Sequence, residues 1–375
     1  MAGIYIHIPF CKQACHYCNF YFSTSTAMKG DLVQAIVREV ELSRGYLDGE
    51  TIETIYFGGG TPSLLAGDEI KAILDAIYLH HPKINLQELT LEANPDDLNA
   101  EKINDLASLR SYGLDRLSIG VQSFHQADLE YMNRAHNADE AISAIKRAQD
   151  AGFNNLTIDL IYGTPTMPDE KWMENLEMAF ALHVPHISSY ALTVEPKTYL
   201  DKYIKQGRSK PVDDTQSVRQ FDILMEQMQA HGFDQYEISN FALPGHDAIH
   251  NTNYWRGKKY LGLGPSAHSF NGQDRSWNVA NNNNYIKSID QSVIPAEVEH
   301  LSPVQQANEY IMTSLRTMWG MNMNGSQVVS CKPQVLTSLM EIDPTFYILE
   351  NDVLRLTRTG KHYADRIAAE LFIEE

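Results

Sequence analysis

Six short apolar and β-branched runs, each followed by an amphipathic stretch, constrain this chain more than any other feature. They are Ile4 to Ile8, Thr54 to Phe57, Glu88 to Glu92, Arg116 to Gly120, Leu156 to Ile161 and His186 to Leu192. The intervening segments carry helical spacing, as in Asp31 to Ser43, where Leu32, Ala35, Ile36, Val40 and Leu42 recur on one face. Strands alternating with helices predict an α/β fold with a parallel sheet and helices outside it. Such a sheet is either doubly wound or curled into a partial barrel. The polar residues favour the barrel. Gly58-Gly59-Gly60-Thr61, Glu92, Gln122-Ser123, Asp159 and Tyr190 all fall at or just past the carboxyl ends of the predicted strands. Several strands feeding one mouth fit a partial, TIM-like (β/α)6 barrel better than a single switch-point crevice.

The 375 residues exceed what one modest core requires. From about Thr198 the pattern changes. A long helix is predicted over Asp213 to His231 and a strand over Gln235 to Ser239. A Gly- and Asn-rich stretch, Gly257 to Asn284, reads as loop, including the run Asn281 to Asn284. The tail from Ser302 is largely helical and closes with a strand at Val353 to Thr357 and a helix from Lys361 to Phe372. The expected division is a barrel over 1–197, a connecting, substrate-side region over 198–300, and a smaller, mainly helical C-terminal domain over 301–375.

A net charge of -18 repels phosphate backbones, and no basic patch exceeds Arg256-Gly257-Lys258-Lys259, so nucleic acid is not an expected partner. No apolar run approaches the roughly 20 residues of a spanning helix. Met1 to Pro9 lacks the basic start and apolar stretch of a signal peptide and reads as an immediate strand. A cytoplasmic protein is expected, with membrane contact at most peripheral.

Three of the four cysteines lie within eight residues, in Cys11-Lys12-Gln13-Ala14-Cys15-His16-Tyr17-Cys18. A secreted disulfide framework would spread them out. Cys331 stands alone and reads as a small buried residue. A zinc site would need a fourth ligand that His16 cannot easily supply from inside the same turn. An iron–sulfur cube held by three thiolates leaves one iron free for an outside ligand. The glycines after the second strand let a backbone approach a ligand closely, although alone they also fit a plain tight turn.

The Cys-x3-Cys-x2-Cys spacing, with aromatic Tyr17 before the third cysteine, resembles the signature of radical S-adenosylmethionine (SAM) proteins. That resemblance implies a [4Fe-4S] cluster on Cys11, Cys15 and Cys18. The amino and carboxylate groups of SAM would chelate the free iron, and reductive cleavage of the sulfonium would give a 5′-deoxyadenosyl radical. It implies that Gly59, Gly60 and Thr61 contact the methionine part of SAM. The further series Tyr5, Glu92, Gln122, Arg134, Asp159 and Ala191 resembles, in order and spacing, the cofactor contacts of the HemN-like, porphyrin-related branch. Singly, each also fits a plainer role, such as a surface charge for Arg134 or a strand-end cap for Asp159.

Within that branch, Phe20 stands where coproporphyrinogen dehydrogenases have a further cysteine, and only ten residues precede Cys11. Both departures, and the segment His250-Asn251-Thr252-Asn253-Tyr254-Trp255, resemble the heme chaperones of the HemW type. The resemblance implies heme as a ligand, heme-acceptor proteins as partners, and a function in heme delivery. A dimer is compatible with it. The alternative is an oxygen-independent coproporphyrinogen III oxidase of porphyrin biosynthesis, and a zinc-binding structural module is a third reading. The resemblance implies His250 as a candidate iron ligand, with Tyr254 and Trp255 packing on the porphyrin face. Read without the resemblance, the same three residues fit a core histidine and its aromatic neighbours.

Overall fold

The computed structural model describes residues 1–374. The first half is built from β1 (Ala2–Ile8), α1 (Lys29–Leu42), β2 (Ile52–Gly59), α2 (Gly67–His80), β3 (Ile84–Ala93) and α3 (Ala100–Ser108). It continues through β4 (Arg116–Gln122), α4 (Gln126–Tyr131), α5 (Ala138–Asp150), β5 (Asn155–Tyr162), α6 (Asp169–Ala181) and β6 (His186–Ala191). The six strands are parallel and lie side by side in strict sequence order. A doubly wound sheet would reverse its order at a switch point. The sequential order gives the partial barrel instead.

Period-2 alternation along these strands sorts the side chains. Ile4, Ile6, Ile8, Ile55, Phe57, Leu89, Leu91, Leu117, Ile119, Ile158 and Leu160 are fully buried and share one core cluster with Ile36, Val40, Ile70 and Ile73 of the covering helices. Burying each such side chain contributes about 1.5–3 kcal/mol. The alternate residues, Tyr56, Glu92, Arg116, Ser118, Gly120, Thr157, Asp159, Ser188 and Tyr190, line the barrel interior. The same pleat that builds the outer core therefore delivers a polar interior.

The 198–300 segment does more than connect. After α7 (Tyr199–Lys205) and α8 (Asp214–Ala230), β7 (Asp234–Glu237) and β8 (Asn240–Ala242) extend the sheet antiparallel beyond β6. Then follow α9 (Ile249–Trp255), β9 (Lys259–Leu263), β10 (His268–Phe270), β11 (Asp274–Asn278), α10 (Asn282–Asp290) and β12 (Ala296–His300). β9 pairs parallel to β1, and β10 to β12 continue outward into a twelve-stranded sheet. The stretch Gly257 to Asn284, expected as loop, thus carries the three strands β9, β10 and β11. Two of its glycines make turns, Gly264 at φ +97 and Gly272 at φ +100, whereas Gly262 lies within β9. The Asn281 to Asn284 run is a helix start: the Asn281 side chain accepts from the Asn284 N–H at 2.9 Å.

The C-terminal part comprises α11 (Pro303–Leu315), β13 (Met321–Asn322), α12 (Lys332–Leu339), β14 (Tyr347–Glu350), β15 (Val353–Leu356) and α13 (Ala364–Glu370). The three strands form a small antiparallel sheet, and Ile311, Leu315, Met321, Val335, Leu354, Ile367 and Leu371 form a separate core. Cys331 is half-buried at the edge of this core rather than inside it. Among the described residues, no helix is long and apolar enough to cross a membrane.

Candidate functional site

One cavity of about 600 Å³ opens at the carboxyl ends of the barrel strands. Cys11, Cys15, Tyr17, Cys18, Gly59, Gly60, Thr61, Glu92, Gln122, Arg134, Asp159 and Ala191 all line it. Sequence positions spread over 181 residues, from Cys11 to Ala191, meet there because each follows the pleat or the loop at the end of its own strand.

The cysteine loop leaves β1 through Pro9 and Phe10 and is pinned at several points. Cys11 N–H donates to the Ser23 carbonyl at 3.0 Å, and His16 N–H donates to the Met132 carbonyl at 3.0 Å. The Asn133 amide donates to the Ala14 carbonyl at 2.8 Å. Arg134 completes the anchorage. Its Nη1 donates to the Cys15 sulfur at 3.2 Å, and its Nη2 donates to Asn94 Oδ1 at 2.6 Å and to the Gly120 carbonyl at 2.9 Å. The three thiols are free and half-buried. Burial pushes the Cys11 thiol up to about 11, with a Thr61 hydrogen bond opposing, and raises Cys18 as well. Among the described residues, no three His, Cys, Asp or Glu side chains gather closely enough to hold a single metal ion. A cube suits this donor set, because each thiolate binds a different iron and a fixed cation beside them offsets their charge.

The glycine loop is shaped by close approach. Gly60 donates to the Ile8 carbonyl at 2.8 Å, and a Cβ there would lie 2.7 Å from the Phe10 carbonyl oxygen. Gly59 sits at φ +106 and its N–H donates to Glu92 Oε2 at 3.1 Å. The Tyr56 hydroxyl donates to Glu92 Oε1 at 2.7 Å. Burial pushes the Glu92 carboxyl up to about 7, the two hydrogen bonds opposing and Asp159 adding to the rise. Burial likewise lifts Asp159 to about 6, against the pull of Arg134 and Arg116. Both carboxylates lie in the one cavity rather than at opposite ends of the barrel. Gln122 is held at φ +67 where β4 breaks register with β5, a left-handed conformation uncommon for a side-chain-bearing residue.

Two groups of expected residues lie elsewhere. Tyr5 is not on the cavity wall. It stacks behind Tyr56 with ring centres 6.1 Å apart, and its hydroxyl is hydrogen-bonded to His7 Nδ1 at 3.0 Å. His250 is only 2% exposed. Its Nδ1 is 2.8 Å from Thr54 Oγ1 and its Nε2 is 2.8 Å from the Tyr254 hydroxyl, so neither nitrogen is free to ligate heme iron. Burial lowers its pKa to about 3. Tyr254 packs edge-on against Tyr260, and Trp255 lies under the Arg316 guanidinium, so neither presents a face to the cavity. Desolvated polar atoms must be paired, and the pairing here is within the protein.

The cavity also holds residues that the sequence reading passed over. Asn94 joins Arg134 to Thr61, its amide donating to Thr61 Oγ1 at 3.0 Å. Arg116, 2% exposed, Thr157 and Asn251 form the inner floor. The signal for Arg116 was present, since it shares the alternation of Ser118, Gly120 and Gln122.

Comparison with known proteins agrees with this geometry. A model of the Radical SAM superfamily matches residues 5–179. Heme chaperone HemW of Bacillus subtilis is 35% identical over 91% of this chain and 92% of its own. Heme chaperone HemW of Escherichia coli is 38% identical over 71% of this chain and 69% of its own. Among solved structures, Escherichia coli coproporphyrinogen III oxidase (HemN), described as a radical SAM enzyme, matches with a TM-score of 0.81 at 19% identity, over 99% of this chain and 90% of that one. At that identity it shows a shared fold. With its cysteine loop, its barrel and a relative 35% identical over 91% of its length, the chain belongs to the HemW family within the radical SAM superfamily.

Proposed function

We propose that this protein is a heme chaperone. It holds a [4Fe-4S] cluster on Cys11, Cys15 and Cys18, binds SAM in the adjoining cavity, takes up heme and passes it to acceptor proteins. The carrying observation is the placement of all three thiols, Arg134 and the two carboxylates around one cavity, in a chain whose relatives, matched over 92% and 69% of their own length, are named heme chaperones. When bound and reduced by an external one-electron donor, the cluster would supply one-electron reducing chemistry next to the SAM site. The chain's own residues do the rest: Arg134 fixes the cysteine loop, Gly59 and Gly60 let backbone approach the ligand, and Glu92 and Asp159 accept hydrogen bonds from its ammonium or hydroxyl groups. Our reading seats heme against Phe20 and Tyr190, two cavity-lining aromatics that are 69% and 44% exposed. Planar aromatic faces suit a macrocycle.

The HemN-like fold raises the second reading, oxidation of coproporphyrinogen side chains. Phe20, an apolar residue where the resemblance calls for a cysteine in those enzymes, favours the chaperone. The test is the anaerobically reconstituted protein given heme and, separately, coproporphyrinogen with SAM and reductant. Stable heme binding without vinyl formation supports the proposal. Turnover above a cysteine-free control overturns it.

A further inference from the structure

α9 carries the His250–Trp255 segment at the amino ends of β1, β2 and β3, opposite the cavity mouth. The Glu88 carboxylate, at the amino-end side of β3, accepts from the N–H groups of Ile249 and His250 at 2.8 and 3.0 Å. Gly3 of β1 admits the His250 ring: a Cβ there would lie 3.1 Å from its Cε1 and 2.8 Å from Thr54 Oγ1. The segment is therefore built into the barrel and closes its floor.

From that position two residues act upward. The His250 ring stacks on Tyr56 with centres 5.0 Å apart and planes at 23°. Tyr56 in turn donates to Glu92 at 2.7 Å. Tyr5, its register partner on β1, packs beside Tyr56 as well, with ring centres 6.1 Å apart. Asn251, the next residue, lines the cavity beside Arg116 and Thr157. The Arg116 Nη2 donates to Thr157 Oγ1 and its buried Nε has no protein partner, so a fixed guanidinium stands beside Asn251 in the cavity lining.

We infer that the His250-Asn251-x-x-Tyr254-Trp255 segment serves the SAM side of the protein and not the heme: Asn251 is a binding residue at the cavity floor, and His250 is a positioning residue that sets Glu92 through Tyr56. The inference rests on the proposed SAM site and deepens it by assigning it a floor. A carboxylate aimed by a packed phenol loses its orientation when the ring that packs on that phenol is removed.

The test uses the full-length protein reconstituted anaerobically, with SAM affinity and heme titration measured on each variant. His250→Ala and Tyr56→Phe weaken SAM about tenfold or more, corresponding to 1.4 kcal/mol. His250→Phe, which keeps a ring on Tyr56, stays within about threefold of wild type. The heme absorption spectrum and titration are unchanged in all three. Asn251→Ala removes only a cavity-lining amide, weakens SAM by about tenfold and leaves thermal stability intact, so it decides the matter if His250→Ala does not fold. Wild-type SAM affinity in Asn251→Ala, or an altered heme spectrum in His250→Phe with SAM binding intact, overturns the inference. A wild-type protein that takes up the cluster but has no affinity for SAM would remove the proposed site itself, and the inference with it.

Discussion

Arg134 reaches the Cys15 sulfur at 3.2 Å with one guanidinium nitrogen and Asn94 at 2.6 Å with the other, joining the cysteine loop to the end of β3. A planar fork makes both contacts at once, which neither lysine nor glutamine reproduces. Arg134→Gln is expected to lower iron and sulfide content after reconstitution and to weaken SAM by about tenfold or more. Iron, sulfide and a SAM titration check this. Wild-type values for all three would show that the loop is held without it.

Gly60 allows the glycine loop to lie against the backbone entering the cysteine loop. Because its missing Cβ would meet the carbonyl oxygens of Phe10 and Ile8 at 2.7 and 2.8 Å, Gly60→Ala has to move backbone and not a flexible side chain. A loss of about 1–3 kcal/mol in stability is expected, with impaired cluster uptake. Chemical denaturation and iron analysis measure the two effects.

The two cavity carboxyls give SAM binding a pH dependence. Burial holds Glu92 near 7 and Asp159 near 6, so at pH 5.5 both are largely protonated and poor acceptors for a cation. SAM affinity rises between about pH 5.5 and 8 as both ionise, and Glu92→Gln removes the upper part of the rise. A flat profile for the wild type would contradict this assignment.

A third buried carboxyl makes stability fall with pH. Glu39 of α1 accepts from Tyr285 at 2.6 Å, Gly264 at 2.7 Å and Asn278 at 2.6 Å, tying the helix to α10, β11 and the turn after β9. Burial still pushes it up to about 7. The native state therefore holds this proton more tightly than the unfolded chain. Its stabilising contribution is complete below the unfolded pKa and is lost as pH rises through about 7, amounting to about 3 kcal/mol. The stability of Glu39→Gln relative to wild type should increase from pH 5 to 8 in denaturant titrations.

The parallel core was legible because strands buried against helices on one side leave a clean alternation, as in Ile4, Ile6 and Ile8. Strict spacing also exposed Glu92, Gln122 and Asp159, which share a cavity. The strands from β9 to β12 were hidden because they are short and flank the barrel rather than forming its core. β11, Asp274–Asn278, has only Trp277 as a large apolar residue. The Asn281 to Asn284 run hid a helix because asparagine caps helices as readily as it fills loops. His250 misled for a different reason. A histidine beside aromatics fits either a metal site or a paired core, and only the 2.8 Å contacts to Thr54 and Tyr254 tell them apart.

Cys331 separates the cluster from the rest of the thiol chemistry. It donates to the Val328 carbonyl at 3.3 Å and packs on the C-terminal core, away from the cavity. Cys331→Ala should retain full iron and sulfide at a cost of about 1 kcal/mol in stability, whereas alanine at Cys11, Cys15 or Cys18 abolishes cluster uptake. Equal iron loss from Cys331→Ala would contradict the three-thiol assignment.

The central claim is heme delivery, and transfer to a heme-free acceptor tests it most directly. The reconstituted protein is loaded with heme, freed of excess, and mixed anaerobically with an apo-hemoprotein whose holo spectrum is distinct. The account predicts that the acceptor spectrum appears while the donor's bound heme declines by the same amount. Failure to bind heme, or heme that stays on the protein with the acceptor unchanged, would contradict it.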